Sequence, residues 1–258
     1  MTDRALEAAL DAARTAGAIA LRYFRSDVRV MRKADQTPVT RADHEAEVAI
    51  VERLRPEFPD IGFLGEEFGA QGSQSRRWIV DPIDGTKNFV RGIPYWATLL
   101  ALEEEGEVTL GVVHSPATGE LFWARRGQGA WADGVALRVS PVDRLDDAML
   151  VHSSLNLLRP LDGGRCWDGF VRLVERTDRQ RGFGDYFGYT FVLRGQAELM
   201  LEADVKAWDI APFKVLFEEA GGRFTDFAGR PTIYSGTALA SNGRLHDEAL
   251  ALLNGTPG

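Results

Sequence analysis

Trp78-Ile79-Val80 is an apolar run that ends abruptly at Asp81-Pro82-Ile83-Asp84-Gly85-Thr86. The run reads as a buried strand. Pro82 locks φ and offers no backbone donor, so the chain must leave a sheet there. Asp84-Gly85-Thr86 reads as a tight turn opening a short helix, with Asp84 in a capping position. Two carboxylates three residues apart thus meet at the end of a buried strand, and the backbone N–H groups of Gly85 and Thr86 face the same point. Carboxylates collect hard divalent cations, and helix-start amides collect anions. A place that offers both suits a phosphate ester held on magnesium. A turn in which Asp81 and Asp84 only cap is the alternative that the residues alone leave open.

The chain of 258 residues suffices for one compact unit or two closely packed lobes. Its formal charge of −8 argues against a nucleic-acid partner, which calls for a basic face. It does not argue against a phosphate substrate, because bound cations reverse the sign of an acidic pocket locally. Cys166 is the only cysteine, so no intrachain disulfide and no cysteine zinc cluster can form. The start, Met1-Thr2-Asp3-Arg4, lacks a secretory pattern. No apolar run approaches the roughly 20 residues that span a bilayer. The expectation is a cytoplasmic protein without a membrane partner.

Along the chain, Leu6, Ala9, Leu10, Ala13, Gly17, Ala20 and Phe24 recur at helical spacing and predict an amphipathic helix over Asp3 to Arg25. A polar extended stretch from Lys33 to Thr40 leads to a second helix from about Ala42 to Leu54. Thr40-Arg41-Ala42-Asp43 has the shape of a capping box. Ile61 to Glu67 is a short apolar run ending in two acids, only one of which can face a shared site. Gly69 to Arg77 reads as a loop. Ala97 to Leu102, Val108 to Val113 and Leu121 to Ala124 predict an antiparallel meander. Gly127 to Gly134 reads as a turn plugged by Trp131, and Pro141 to Asp147 as the boundary between lobes 1–143 and 144–258. Beyond it, strands are expected at Met149 to Ser153 and Leu199 to Glu202, and helices at Trp167 to Arg176 and Tyr186 to Leu193. Another helix enters at Ala207-Trp208-Asp209, with Asp209 as its N-cap and Pro212 in its first turn.

Trp78 to Phe89 resembles the inositol monophosphatase signature W-x-x-D-P-x-D-G-T-x-N-F at every fixed position. Lys33 to Asp43 resembles the family's K-x-D-x-x-P-V-T-x-x-D, Gly65-Glu66-Glu67 its G-E-E, and Trp208-Asp209-Ile210-Ala211 its W-D-x-A, with Glu202 seven residues before Asp209. The resemblance spans nearly the whole chain and implies an α/β (α+β) fold, a layered α-β-α-β-α sandwich of the inositol monophosphatase and fructose bisphosphatase type. It also implies phosphate-monoester hydrolysis with two or three Mg²⁺ ions per site and a homodimer. Carried over, Glu66, Asp81 and the Ile83 carbonyl would hold one ion, and Asp81, Asp84 and Asp209 a second. Thr86 would hydrogen-bond the attacking water, Asp43 would help take its proton, and the Gly85 and Thr86 amides would hold phosphate oxygens. Glu66 is thus both a ligand and a catalytic candidate. Arg181 to Tyr189 is similar to the R-x-x-G-D-x-x-G/Y-Y segment of the histidinol-phosphate phosphatase branch. Arg181, Asp185, Glu202 and Asp209 are the expected substrate contacts, since an extra carboxylate suits a cationic leaving group. A loop Asp185 capping the helix near Tyr186 is the alternative. An inositol- or sugar-phosphate phosphatase and a non-catalytic interaction protein on the same fold stay open beside histidinol phosphate as substrate.

Overall fold

The computed structural model describes residues 3–26, 31–32 and 38–255. The expected extended stretch from Lys33 to Thr37 lies outside them. Helix α1 (Arg4–Tyr23) is capped by Asp3, whose carboxylate accepts from the Ala5 and Leu6 amides. A ribbon of β1 (Met31–Arg32) and β2 (Pro38–Val39) precedes α2 (Arg41–Leu54). Next come β3 (Gly62–Gly65), β4 (Gly69–Gln71), β5 (Arg76–Asp84) and the short helix α3 (Thr86–Phe89). Strands β6 (Ala97–Glu104), β7 (Glu107–Ser115), β8 (Glu120–Arg125), β9 (Ala130–Ala132) and β10 (Val135–Ala136) follow. The rest of the chain alternates: β11 (Met149–His152), α4 (Leu155–Leu158), α5 (Arg165–Arg176), β12 (Arg179–Gly182), α6 (Asp185–Leu193), β13 (Leu199–Ala203), α7 (Ala207–Ala220), β14 (Arg223–Thr225), β15 (Thr237–Ser241) and α8 (His246–Asn254).

Two sheets result, ordered β10-β9-β8-β7-β6-β5-β3-β4 and β12-β11-β13-β15-β14. Side chains alternate across a strand, and in both sheets each side is buried. Trp78, Val80, Leu100, Leu102 and Val112 face α1 and α2, and the small residues Ala9, Ala12, Ala13 and Ala16 of α1 let the helices lie close. Ile79, Leu99, Ala101 and Val113 point the other way, onto Tyr189 of α6 and Phe213 and Phe217 of α7. The same core takes Val151, Met200 and Ala240 from the smaller sheet, whose opposite side sends Leu150, Leu199 and Leu239 to Phe170 of α5 and Leu253 of α8. Helices, sheet, helices, sheet, helices: this is the layered α-β-α-β-α order expected.

Among the short strands that the sequence reading misses are β4, β9, β10 and β12. β4 pairs with β3 where a loop is expected, and β9 and β10 extend the meander past β8. Trp131 is therefore no plug; it stacks on Trp123 across the β8–β9 pair, ring centroids 5.9 Å apart. β12, with the sequence Arg-Gln-Arg-Gly, is an edge strand and carries no apolar alternation to reveal it.

Pro82 also acts differently from expectation. The strand does not end there: Asp81 pairs with Leu99 and Asp84 with Ala97, so three steps on β5 oppose two on β6. That extra residue is a β-bulge. In a regular strand, positions three apart face opposite sides; the bulge returns Asp84 to the side of Asp81. Both acids consequently look into the middle layer.

Candidate active site

One carboxylate oxygen each from Asp81, Asp84 and Asp209 lies within 4.8 Å of the others. Each acid is held by a backbone amide. Asp81 Oδ1 accepts from Ile83 N at 2.9 Å, across the bulge. Asp84 Oδ2 accepts from Tyr186 N at 2.6 Å, so it caps α6 in space and not the adjoining α3. Asp209 Oδ2 accepts from Lys206 N at 2.7 Å. The N-cap of α7 is Lys206, three residues before the Asp209 expected, and Pro212 accordingly falls in the second turn.

Around this triad opens a cleft of about 1010 Å³. Seven carboxylates but two lysines line it among the described residues, an imbalance that a phosphate dianion could not enter unaided. Burial raises the pKa of Asp81 well above its ordinary value, with Glu66, Asp84 and Asp209 adding repulsion. Asp84 is raised in the same way, by burial and then by Asp185, Asp209 and Glu202. Burial pushes Asp209 up to about 7. Close-set, amide-anchored oxygen donors whose charges oppose one another fit a hard divalent cation.

Asp185 and Glu202 share the cleft. Asp185 opens α6 in the left-handed region (φ 55°), which Asp tolerates better than most residues. Its carboxylate makes no cap for α6; Oδ2 instead accepts from Asn88 Nδ2 at 3.0 Å. Asn88 also donates to the Tyr95 carbonyl, a fixing role the sequence did not disclose. Glu202 Oε1 accepts from Asp185 N at 3.2 Å, and burial, followed by the Asp185 charge, raises Glu202 to about 8. Tyr95 and Phe187 stack at 4.0 Å and form an aromatic wall of the same cleft.

The remaining predicted residues divide. Glu66 lines the cleft beside Asp81, whereas the Glu67 carboxylate lies 3.8 Å from His44 Nε2 on α2. Ile83, Gly85 and Thr86 line it as well, and the Thr86 hydroxyl donates to the Ile83 carbonyl at 3.0 Å. Asp43 is buried behind the lining. Its Oδ2 accepts from the Thr40 amide and hydroxyl, completing the expected capping box. Its Oδ1 finds no hydrogen-bond partner among the described residues. Burial lifts Asp43 to about 7, with Glu67 and Glu66 adding to the rise against the Thr40 bonds. Arg181 departs from expectation: exposed on the edge strand β12, it donates to the Gln180 carbonyl and does not line the cleft.

A five-layered sandwich with an acid cluster at a bulged strand end defines a class of protein, and comparison with known families identifies it. The chain belongs to the inositol monophosphatase family, whose model matches residues 1–255. Histidinol-phosphatases from Streptomyces coelicolor and Mycobacterium tuberculosis are 43% and 44% identical to it, each alignment covering 90% or 91% of both chains. Among solved structures, a Thermotoga maritima IMPase superposes with a TM-score of 0.87 at 34% identity, over 98% of both chains.

Proposed function

We propose that this protein hydrolyses L-histidinol phosphate to L-histidinol and phosphate. The observation that carries the reading is the pair Asp185 and Glu202, two carboxylates beyond the Asp81–Asp84–Asp209 triad that share its cleft and leave it strongly acidic. Their charges suit the ammonium group of the leaving alcohol, and the Tyr95–Phe187 wall suits its imidazole ring. The similarity to two histidinol-phosphatases over nine-tenths of the chain supports the same substrate.

Glu66, Asp81, the Ile83 carbonyl, Asp84 and Asp209 would hold Mg²⁺, which supplies Lewis-acid polarisation of the phosphoryl oxygens and a water of lowered pKa. Every other part falls to the chain itself. Thr86 orients the attacking water. Asp43, with one carboxylate oxygen unengaged and a pKa raised to about 7, helps take up its proton. As the water oxygen bonds to phosphorus, the phosphorus–alkoxide bond breaks in line and the departing alkoxide takes a proton from solvent. The Gly85 and Thr86 amides hold phosphate oxygens. Lobe 1–143 then contributes the water-activating groups, and lobe 144–258 contributes Asp209 and the substrate-selecting acids. The reading includes a cytoplasmic homodimer, a state that sedimentation measures directly.

The test is a panel of L-histidinol phosphate, inositol 1-phosphate and an aryl phosphate, scored by released phosphate with Mg²⁺ and with EDTA. EDTA should abolish turnover, and histidinol phosphate should lead. A charge-assisted bond contributes about 1.5–3 kcal/mol, so Asp185→Asn should lose roughly tenfold to a hundredfold in kcat/KM for histidinol phosphate. The aryl phosphate should barely change. Equal turnover of inositol phosphate by the wild type, or an equal loss on all three substrates in the variant, removes the substrate assignment.

A further inference from the structure

Helix α2 carries a second buried acid one turn beyond Asp43. Glu47 is 2% exposed, and no ion pair forms to it among the described residues. Its carboxylate is engaged instead by two successive backbone amides: Oε2 accepts from Glu67 N at 2.9 Å and Oε1 from Phe68 N at 3.2 Å. Those are the two amides that directly follow Glu66. The Glu66 amide itself donates to the Val80 carbonyl at 3.1 Å, beside Asp81. Glu66 is thereby pinned on one side by the strand that bears the cluster and on the other by Glu47.

The preceding residue shows how closely the turn fits that carboxylate. A Cβ on Gly65 would lie 1.8 Å from Glu47 Oε1 and 2.5 Å from its Cδ, so no larger residue fits there without moving Glu47. The helix end of the contact is equally fixed, because Ala46 and Ile50 on either side of Glu47 are buried against the sheet in the core that holds Trp78. A buried carboxylate retains its place only where donors compensate it, and here both oxygens are spent on one turn.

We propose that Glu47 is a positioning residue for Glu66: its carboxylate is the template around which Gly65–Phe68 folds, and so it sets the direction in which Glu66 enters the acid cluster. The inference rests on the reading of Glu66 as a metal ligand. It assigns to Glu47 no contact with substrate.

Mn²⁺ binding to the full-length protein, followed by electron paramagnetic resonance, gives a readout that does not depend on turnover. Glu66→Gln serves as the control for the ligand itself. Outer partners of metal ligands typically govern affinity tenfold to a hundredfold. Glu47→Gln keeps the volume but turns a donor toward one of the two amides, so it should weaken Mn²⁺ about tenfold. Gly65→Ala, which displaces the same carboxylate from the other side, should do likewise. Both should raise the Mg²⁺ concentration needed for half-maximal rate while kcat recovers at saturating Mg²⁺, a pattern that a simple loss of folded protein does not give. A folded Glu47→Gln protein with wild-type Mn²⁺ affinity overturns the proposal. So does a Gln variant that cannot fold, since Glu47 would then be a structural acid. A wild type that binds no Mn²⁺ overturns the metal reading itself, which separates the two failures.

Discussion

At the scale of single residues, the acids of this site hold two posts each. Asp84 faces the triad and closes the first turn of α6 through Tyr186 N; Asp209 faces it and accepts from the Lys206 amide at the start of α7. An anion at a helix start is favoured by the orphan amides and the dipole, so two helices offset part of the repulsion within the cluster. Asp43 repeats the arrangement on α2, and there the two posts can be separated. Asp43→Ala removes the cap and should cost about 0.5–2 kcal/mol of stability. Asp43→Asn keeps an acceptor for Thr40 but no basic oxygen, so it should melt close to the wild type and turn over at least about a hundredfold more slowly. Melting curves and rates for both variants decide the matter; an Asn variant of full activity leaves Asp43 a cap alone.

At the scale of elements, what reads clearly in the sequence is what repeats or breaks a pattern. The apolar period of Leu6 to Ala20 and the meander turns survive in the fold, whereas the acid-proline-acid break expected to end a strand is a bulge within one. What the bulge does with that break does not read, because it depends on register against β6, a partner thirteen or more residues away. Glu47 and Asn88 are illegible for a related reason: each is an ordinary polar residue whose meaning lies in a distant backbone or carboxylate. Arg181 shows the converse, a motif residue whose strand lies at the sheet edge. The seat of α7 is another such long-range fit. Gly111 on β7 lies under Pro212, where a Cβ would come within 2.6 Å of the Pro212 carbonyl oxygen. Gly111→Ala should therefore push α7, and Asp209 with it, off the large sheet. Overpacking of this kind costs about 1–3 kcal/mol, measurable by urea denaturation. The Mg²⁺ requirement should rise in the same variant, and an unchanged requirement would show that the shift does not reach Asp209.

At the scale of the whole molecule, burying this much acid ties stability to pH and to metal. Asp43, Glu47 and Asp209 are raised to about 7 and Glu202 to about 8, from ordinary values of 3.8 to 4.5. Burial is the first cause in all four. A carboxyl whose folded pKa is raised binds more protons folded than unfolded, so its effect runs opposite to that of a salt-bridged acid. Stability falls as pH climbs from the unfolded to the folded value. His246 works the other way at lower pH. Burial lowers it to about 4 from 6.5, so its contribution grows as pH rises through that range and masks the acids there. Depressed acids such as Asp3 and Glu107 change their protonation lower still. The window to watch is consequently about pH 6.5 to 8, where the folded values of the raised acids of the cleft and of α2 lie, well above the folded value of His246. One such group crossing one pH unit is worth about 1.4 kcal/mol, and 1 kcal/mol moves Tm by about 2–4 °C in a chain of this size. In EDTA, Tm should drop by at least about 3 °C per pH unit across that window. Mg²⁺ binds the ionised cluster and competes with its protons, so the gain in Tm on adding Mg²⁺ should be larger at pH 8 than at pH 6.5. A metal-free Tm that stays level or climbs over the window, measured by calorimetry in both conditions, would mean that the cluster is already ionised in the folded chain and that its repulsion is relieved by some means other than protons.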